Sequence, residues 1–395
     1  MITLLRNANL FAPDALGHVD LLIAGEQIVA VAPHTGPRQV NPRLHSPPTD
    51  WPCEVIDLAG ATVVPGLIDA HVHLSGGGGE SGPETKVPPL QLTQLTLAGV
   101  TTVVGLLGTD SETRTPRELL AATRAMHRLG LSAFMWTGAY PVPTPTITGS
   151  VRGDVTLIEQ VIGAGEVAIS DHRSSQPTYE EIVRLAAECH VGGLLAGKAG
   201  VLHLHLGDGD RGLAFVARAL EETELPARVL QPTHCNRNRA LWTEAMALGA
   251  RGVPIDVTAF PPDDDETGLT AAQAVGQWLD AGLPAGGLTV SSDGGGCIPV
   301  FDQHGVMQRM DVGSSATLLA MVRELAAQGR ALAEVLPVLT RNVAQQLRLT
   351  GKGVIAPGSA ADLLVLDGEL RVRDLMARGR WMVQGGVAVV RGRFE

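Results

Sequence analysis

The chain has 395 residues, too long for one ordinary domain of about 150 residues, whereas an α/β barrel of about 250 residues plus an accessory domain accounts for its length. Hydrophobic residues make up 45% of the chain and charged residues 18%, so it can bury a large core, and global disorder is excluded. The formal net charge of −11, without a basic stripe, argues against DNA or RNA as a partner.

The two ends of the chain share a pattern of short apolar runs separated by glycine and polar turns, which is typical of small antiparallel strands. These runs are residues 2–5, 21–23 and 27–31 at the N-terminus and 362–366, 370–372 and 381–390 at the C-terminus. Because a lone short sheet would be marginally stable, we expect the two ends to pair into one small β domain. The proline-rich segment 34–51 is predicted to be a loop.

The middle of the chain alternates apolar runs with helical patterns, as expected for β-α units around a parallel sheet. The predicted strands are residues 61–74, 99–109, 132–140, 166–172, 201–206, 228–234, 253–259 and 288–293. Predicted helices include 116–129, with Thr115 as N-cap, and 179–188, with Thr178 before it.

Eight strands close a barrel, so the predicted fold class is α/β, a (β/α)8 TIM barrel with a small β-sandwich domain built from both termini. The predicted barrel covers residues 63–352, and the β domain covers 1–62 plus 353–395.

Polar residues end nearly every predicted barrel strand, where the active site of such a barrel is built. They are His71, His73, Thr109, Asp110, Tyr140, Asp171, His172, Arg173, His205, His234 and Asp293. A single histidine of this kind is more often a satisfied core or loop residue than a ligand. Several histidines at equivalent positions favour a functional site.

The histidines have the pattern of a metal site. His71 and His73 lie on one face of a strand, because side chains alternate along it, and they form half of a zinc site. His205, His234 and Asp293 add further imidazole and carboxylate ligands of the kind catalytic zinc uses. These five residues are enough for two ions, which then need a bridging anion from the fourth strand region.

Specific motifs resemble the amidohydrolase superfamily and, within it, the isoaspartyl dipeptidases. The similar segments are PGLIDAHVH at 65–73, GGGGE at 76–80, VGLLGTD at 104–110, TGAY at 137–140, ISDHRS at 169–174, THCNRN at 233–238, SSDG at 291–294 and AADLLV at 360–365. The resemblance extends from about residue 1 to residue 395. It implies an enzyme with two Zn²⁺ per subunit that hydrolyses β-aspartyl dipeptides with a metal-activated hydroxide.

The resemblance also implies a role for each site residue. It places His71 and His73 on one ion and His205 and His234 on the other. Asp293 would be both a ligand and the carrier of the transferred proton. The Tyr140 hydroxyl would stabilise the developing oxyanion.

The charges of a β-aspartyl dipeptide suggest the remaining contacts. The family resemblance implies that Glu80 binds the substrate ammonium and that Arg173 and Arg237 bind its carboxylates. Gly79 and Thr109 would line the same pocket. For either arginine the ordinary alternative is a surface ion pair.

The bridging ligand is the first departure from the family pattern. Many members use a carbamylated lysine, but here the aligned residue is Glu166, which offers a carboxylate without carbon dioxide. Because Glu166 starts the predicted fourth strand instead of ending it, Asp171, His172 and Lys198 remain alternative bridges.

Two further positions leave alternatives open. Cys297 stands where relatives have a serine that touches the substrate, and it is either a weak donor or a small buried hydrophobe. His203 and His205 lie on one strand face, so spacing alone cannot decide which is the ligand. His205 is preferred because Leu206-Gly207-Asp208 follows it as in the family, and His203 is expected to pack in the barrel.

Other motifs favour competing interpretations only weakly. The segment 192–198 almost spells a phosphate-binding loop but lacks its Ser/Thr, and Cys235 beside His234 would point away from it on a strand. The acidic run 263–265 is predicted to be a solvated loop or a lid. Alternative functions are hydrolysis of cyclic amides or N-acyl amino acids, and a non-catalytic barrel scaffold.

Cysteine usage and the N-terminus suggest a location. The cysteines are widely spaced, with no C-x-x-C pair, which predicts neither a zinc ribbon nor a disulfide framework. The N-terminus lacks the pattern of a signal peptide, and no segment approaches about 18 consecutive apolar residues. We expect a cytoplasmic protein that acts on a small-molecule dipeptide, with no membrane partner, and the family resemblance suggests a homo-oligomer.

Overall fold

The structure of the chain, a computed structural model, describes residues 2–35, 53–260, 267–301 and 307–395. Its described strands are β1 (Ile2–Phe11), β2 (Ala15–Ala24), β3 (Gln27–Pro33), β4 (Cys53–Asp57), β5 (Thr62–Pro65), β6 (Leu67–Val72), β7 (Val100–Gly105), β8 (Ser132–Thr137), β9 (Val161–Ile169), β10 (Val201–Leu206), β11 (Leu230–Thr233), β12 (Ile255–Thr258), β13 (Leu288–Ser291), β14 (Cys297–Phe301), β15 (Met307–Val312), β16 (Leu363–Leu366), β17 (Val372–Ala377), β18 (Arg380–Gln384) and β19 (Val387–Ala388). Its described α-helices are α1 (Leu92–Thr96), α2 (Pro116–Leu129), α3 (Val151–Leu157), α4 (Tyr179–Ala196), α5 (Ala214–Glu222), α6 (Arg239–Ala250), α7 (Ala271–Asp280), α8 (Ala316–Ala327), α9 (Leu332–Val335) and α10 (Arg341–Gln346). Short 3₁₀ helices span Pro83–Thr85, Ala227–Val229, Ala285–Gly287 and Leu336–Leu339.

The strands of the middle region close into a barrel. Strands β6 to β11 form a parallel sheet in chain order, and β12 pairs in parallel with β13. The Cys235 N–H donates to the Asp256 carbonyl (3.3 Å), which links β11 to β12, and a bridge between Val72 and Gly294 links β6 to the end of β13. Within the described ranges, the eight strands β6–β13 thus form the predicted (β/α)8 barrel.

The start of the fourth barrel strand differs from the prediction. Strand β9 begins at Val161, so Glu166 lies well inside the strand instead of starting it. The glycines of the sequence VIGAG suggest a turn, but Gly163 and Gly165 are needed for close strand packing. A Cβ at Gly163 would lie 2.2 Å from the Val201 carbonyl oxygen, and a Cβ at Gly165 would lie 2.7 Å from the His203 Cβ. This correction places Glu166 next to the neighbouring strand's histidines.

Both chain ends contribute to a second sheet of nine described strands, in the order β19-β18-β17-β16-β5-β1-β2-β3, with β4 paired to β1. Antiparallel pairing of β16 with β5 joins the two ends. Leu21 and Ile23 of β2 share one buried core with Leu363 and Val365 of β16, so the two halves of the sheet stabilise each other. The predicted small β domain from both termini is therefore present.

Details of this β domain differ from the prediction or lie outside it. The strand predicted at 370–372 begins only at Val372, because Leu370 has a positive φ of 56° in a turn. Strand β5, part of the region predicted as one strand over 61–74, belongs to the terminal sheet. The exact domain boundaries stay a prediction, and most of the predicted loop 34–51 lies outside the described residues.

The predicted helices are present. Helix α2 has the predicted bounds, and the Thr115 hydroxyl accepts a hydrogen bond from the Glu118 N–H (3.2 Å). Helix α4 extends to Ala196, beyond the predicted end at 188, and contains Gly192. The segment 192–198 therefore is not a phosphate-binding loop that precedes a helix. Within the described part of the chain, no helix has the length and hydropathy to cross a membrane.

The cap of α2 gives a test of the local helix signal. We expect Thr115→Ala to lower the free energy of unfolding by about 1 kcal/mol, because the Glu118 N–H loses its acceptor. Urea unfolding measures the change, and Thr115→Ser is the matched control because it keeps the hydroxyl. Equal destabilisation by both substitutions would contradict the capping role.

Candidate metal centre and substrate cavity

The predicted ligands come together where the barrel strands end. His71 is on β6 and His73 follows it, Glu166 is on β9, and His205 is on β10. His234 directly follows β11, and Asp293 lies two residues beyond β13. Parallel barrel strands all end on the same face, so these side chains converge although they are far apart in sequence.

The Glu166 carboxylate is at the centre of this cluster. Its Oε2 lies 2.9 Å from His205 Nδ1, 3.3 Å from His234 Nε2 and 3.4 Å from His71 Nε2. Its Oε1 lies 3.5 Å from His73 Nε2. One buried carboxylate therefore contacts four imidazoles.

Asp293 approaches the same cluster from the last strand. Its Oδ1 lies 3.1 Å from His73 Nε2 and 3.5 Å from His71 Nε2. Two triads of potential ligand atoms each fit within 4.8 Å: one is His71, His73 and Asp293, and the other is His71, Glu166 and His234. Their spacing and donor types suit metal ions such as zinc.

Charge and hydrogen bonding within the cluster also fit a cation. Burial lowers the pKa of His71, but the charges of Glu166 and Asp293 outweigh it and raise this pKa to about 9. Burial would raise the pKa of Asp293, yet contacts with His73 and His71 lower it to about 2. Among the described residues, His71 Nε2 and Asp293 Oδ1 have no hydrogen-bond partner. Two buried carboxylates thus require positive charge, which a bound divalent ion would supply.

A histidine that the sequence left ambiguous lies behind the cluster. His203 Nε2 is 2.9 Å from His71 Nδ1, and His203 Nδ1 is 3.1 Å from Gln231 Oε1. Its ring stacks on Trp136 with centroids 5.0 Å apart. The structure therefore places His205 against Glu166, and His203 on the far side of His71.

Two buried aspartates that the site prediction missed support the strand ends. Asp256 accepts hydrogen bonds from Thr233 and Ser291 (both 2.7 Å), which precede His234 and Asp293. Asp69 accepts from Ser292, which directly precedes Asp293, and from Ser315. The sequence signal that identifies such residues is an acidic side chain within an apolar strand. A carboxylate buried there needs hydrogen-bond donors around it.

A cavity of about 750 Å³ opens above the cluster and contains most of the other predicted residues. It is lined by Glu80, Thr109, Tyr140, Arg173, Arg237 and Cys297, among others. Gly79 precedes Glu80 on the same loop but is not among the lining residues. The predicted acidic run 263–265 lies outside the described residues.

Polar contacts orient the side chains of this cavity. Thr109 donates to Glu80 Oε1 (2.9 Å), and Arg173 Nη1 lies 3.5 Å from the same oxygen. The Tyr140 hydroxyl is 2.8 Å from His205 Nδ1. Arg237 Nη1 lies 3.5 Å from Asp208 Oδ2. Acidic and basic groups therefore lie next to the candidate metal ligands in one space.

The alternative bridging residues lie elsewhere. Lys198 Nζ donates to the carbonyls of Val155 and Ile158, and the His172 side chain is 91% exposed. Asp171 lies beside His205 but contacts it on the side away from Glu166, through Nε2 instead of Nδ1. Glu166 is thus the carboxylate that the four candidate histidine ligands share.

Comparisons with known proteins place the chain among similar hydrolases. A model of the "Amidohydrolase family" matches residues 62–385. The structure of a β-aspartyl dipeptidase from Fervidobacterium islandicum AW-1, in complex with the β-Asp-Leu dipeptide, aligns with a TM-score of 0.91. Its sequence is 40% identical, and the alignment covers 98% of this chain and 97% of that one.

More distant similarity connects the chain with imidazolonepropionases. The enzyme from a Ruegeria species is 25% identical over 348 residues, which are 81% of this chain and 82% of the relative. The enzyme from Pseudomonas aeruginosa is 39% identical over only 88 residues. That match spans 22% of this chain and 21% of the relative's length.

The burial of Asp256 next to the candidate ligands can be tested through the pH dependence of stability. Burial raises its pKa to about 6 despite hydrogen bonds from Ser291, Thr289 and Thr233. The folded chain thus holds this proton more tightly than the unfolded chain does. The resulting stabilisation is complete below about pH 4 and is lost as the pH rises through about 6.

We therefore expect the wild-type free energy of unfolding, relative to Asp256→Asn, to fall by up to about 3 kcal/mol between pH 4 and pH 7. Urea unfolding of the metal-free proteins at several pH values measures this difference. A difference in the free energy of unfolding that does not change with pH would contradict the raised pKa of Asp256.

Proposed function

The chain belongs to the amidohydrolase family, and from this premise we propose that it is a metal-dependent dipeptidase that hydrolyses the β-aspartyl bond of isoaspartyl dipeptides. The observation that carries the proposal is the charge pattern of the cavity, in which one acid and two arginines lie beside the histidine–carboxylate cluster. The likeness to a β-aspartyl dipeptidase bound to β-Asp-Leu supports the same substrate class.

Two zinc ions would be held by the predicted ligands. His71, His73 and Asp293 form one potential triad, and His205 and His234 provide imidazoles for the other ion. Glu166 would bridge the two, since its two oxygens face imidazoles of both sets. When bound, zinc supplies Lewis-acid polarisation of the scissile carbonyl and activation of water.

Substrate recognition follows from the charges of an isoaspartyl dipeptide, which has one free ammonium and two carboxylates. Glu80 would bind the ammonium, and Arg173 and Arg237 would each bind a carboxylate through a planar guanidinium. Thr109 holds Glu80 by a hydrogen bond, and Gly79 has a positive φ of 102°, which glycine adopts readily, directly before Glu80. A zwitterionic dipeptide matches this set better than a neutral ring does.

Two side chains are suited to the chemical step. Asp293 lies beside His73 and His71 at the floor of the cavity, where its carboxylate can accept a proton and pass it to the leaving amine. Burial and nearby Glu166 raise the pKa of Tyr140 well above its ordinary value. The Tyr140 hydroxyl therefore keeps its proton and can donate to the developing oxyanion.

Cys297 would be a neutral contact at the cavity wall. Burial raises the pKa of its thiol to about 11, and its Sγ lies 3.3 Å from Met310 Sδ. A neutral thiol is a weak donor and a poor nucleophile. Cys297 would therefore contact the substrate without forming a covalent bond to it.

Further proposals concern the organisation of the protein. We retain the division into a barrel at 63–352 and a β domain at 1–62 plus 353–395. We also retain a cytoplasmic location, which the four free cysteines support, and a homo-oligomeric state, which rests on family resemblance.

A second candidate activity is hydrolysis of a cyclic amide. Similarity to an imidazolonepropionase over 348 residues is the observation in its favour. The same metal cluster would serve both activities, whereas Arg173, Arg237 and Glu80 favour the dipeptide. The candidates differ in substrate and can be separated by one assay.

Linkage selectivity tests the proposal. We expect the zinc-loaded protein to cleave β-Asp-Leu and to leave α-Asp-Leu and a neutral cyclic amide such as dihydrouracil intact. Both peptides have one ammonium and two carboxylates, but only in the β-linked peptide do the ammonium and a carboxylate share the aspartyl α-carbon, one methylene away from the scissile carbonyl. Chromatographic detection of released leucine and of ring opening measures the three rates. Ring opening without peptide cleavage would favour the second candidate, and no turnover of any substrate would favour a scaffold.

Removing the proton acceptor tests the assigned chemistry. We expect Asp293→Asn to lower kcat by about 10²–10⁴-fold, because an amide can neither accept the proton nor serve as an anionic ligand. The variant should keep the wild-type circular dichroism spectrum. Asp280→Asn, which changes a 67% exposed carboxylate at the end of α7, is the matched control and should leave kcat unchanged. Full activity in Asp293→Asn would remove this residue from the proton-transfer role.

A further inference from the structure

Asp171 is a buried carboxylate for which the proposed chemistry provides no role. It follows β9 at the edge of the cavity and is only 5% exposed. Both of its oxygens are engaged, and the partners belong to the two functional halves of the site. One partner is the candidate metal ligand His205, and the other is the candidate carboxylate clamp Arg173.

The contact with His205 has the geometry of a carboxylate that orients a metal-binding histidine. His205 Nε2 lies 2.9 Å from Asp171 Oδ2, while His205 Nδ1 lies 2.9 Å from Glu166 Oε2. When Nε2 carries the proton and donates it to Asp171, Nδ1 presents its lone pair toward Glu166. Carboxylates placed in this way fix the tautomer and ring orientation of metal ligands and raise their basicity.

The contact with Arg173 is bidentate. Arg173 Nε lies 3.1 Å from Asp171 Oδ1, and Arg173 Nη2 lies 2.7 Å from Asp171 Oδ2. The Arg173 backbone N–H also donates to Oδ1 (2.7 Å). The two bonds from Nε and Nη2 fix the guanidinium plane and leave Nη1 directed toward Glu80, while the backbone bond holds the Asp171 carboxylate in place. The group that would bind the substrate carboxylate is thus held before the substrate arrives.

Asp171 also balances the positive charge of Arg173 beside the candidate ligand His205. Arg173 Nη2 lies 3.3 Å from His205 Nε2, so the guanidinium is next to the imidazole that would bind an ion. An unbalanced positive charge at this distance would weaken cation binding. The Asp171 carboxylate lies in contact with both groups and balances that charge.

The neighbouring backbone leaves room for this carboxylate. Gly207 comes two residues after His205, and a Cβ at Gly207 would lie 2.5 Å from Asp171 Oδ2 and 2.6 Å from its Cγ. Any larger residue there would push the carboxylate away. The family-like segment Leu206-Gly207-Asp208 thus has a specific steric reason for its glycine.

We propose that Asp171 is a positioning residue that couples metal binding to substrate binding, because one carboxylate orients His205 toward the ion and Arg173 toward the substrate carboxylate. The inference rests on the proposed function for the Arg173 half, whereas the His205 half requires only that the chain binds a metal. Removing the Asp171 carboxylate should therefore impair both metal binding and substrate binding. Substitution of His205 should affect metal binding, and substitution of Arg173 should affect substrate binding.

The experiment compares Asp171→Asn, Arg173→Ala and a matched control, Asp154→Asn. Asp154 is a buried carboxylate that accepts hydrogen bonds from Thr137 and Thr148 and touches neither half of the site. Zn²⁺ affinity is measured on the purified full chain by competition with a chromophoric chelator. KM and kcat for β-Asp-Leu are measured on the zinc-loaded proteins.

We expect Asp171→Asn to weaken the more loosely held Zn²⁺ by about 10–100-fold and to raise KM. Arg173→Ala should raise KM without changing Zn²⁺ affinity. Asp154→Asn should lower stability without changing Zn²⁺ affinity. Circular dichroism establishes folding, and Asp171→Ser replaces Asp171→Asn should the latter not fold.

Three results would overturn the inference. Wild-type Zn²⁺ affinity in Asp171→Asn would show that Asp171 does not position His205 for metal binding. An unchanged KM in that variant would show that Asp171 does not position Arg173 for substrate binding. Equal loss of Zn²⁺ affinity in Asp154→Asn would assign the effect to general destabilisation. If the wild-type chain binds Zn²⁺ but cleaves no β-aspartyl peptide, the proposed function fails, while the affinity comparison still decides the His205 half.

Discussion

Burial of the Glu166 carboxylate is the constraint on which the rest of the site depends. A charged carboxylate removed from water is costly unless opposite charge and hydrogen bonds compensate it. Here four imidazoles lie within 3.5 Å of its oxygens, and Asp293 adds a second negative charge beside His71 and His73. Such an arrangement of ligands is stable when cations hold it together, which explains why so many imidazoles end apolar strands.

The barrel makes this concentration of polar groups possible. The six candidate ligands come from five strands, because His71 lies on β6 and His73 directly follows it, and the strands themselves are buried by apolar packing. Asp69 and Asp256 accept hydrogen bonds from hydroxyl groups near the neighbouring strand ends. The candidate ligands therefore lie next to buried carboxylates whose hydrogen bonds are satisfied. Asp171 contacts both the candidate metal ligand His205 and the cavity residue Arg173. The supporting aspartates, the candidate metal ligands and the cavity residues therefore adjoin one another.

Strand ends could be predicted from the sequence because an imidazole or carboxylate that ends an apolar run is a local signal. This signal predicts that His71, His205 and Asp293 lie near strand ends on one face of the barrel, and the structure places them there. The start of β9 could not be predicted, because its glycines are required by contacts with β10 and look like a turn in isolation. The partners of Asp171 and His203 depend on which strands are neighbours and how the loops fold, so they became visible only in the structure.

The most direct test of the account is the anomalous X-ray scattering from zinc in crystals of the zinc-loaded protein. The account predicts two zinc peaks, with the Glu166 carboxylate between them, one beside His73 and Asp293 and the other beside His205 and His234. A single peak, or peaks that Glu166 does not touch, would contradict the claim that this buried carboxylate organises a two-metal centre.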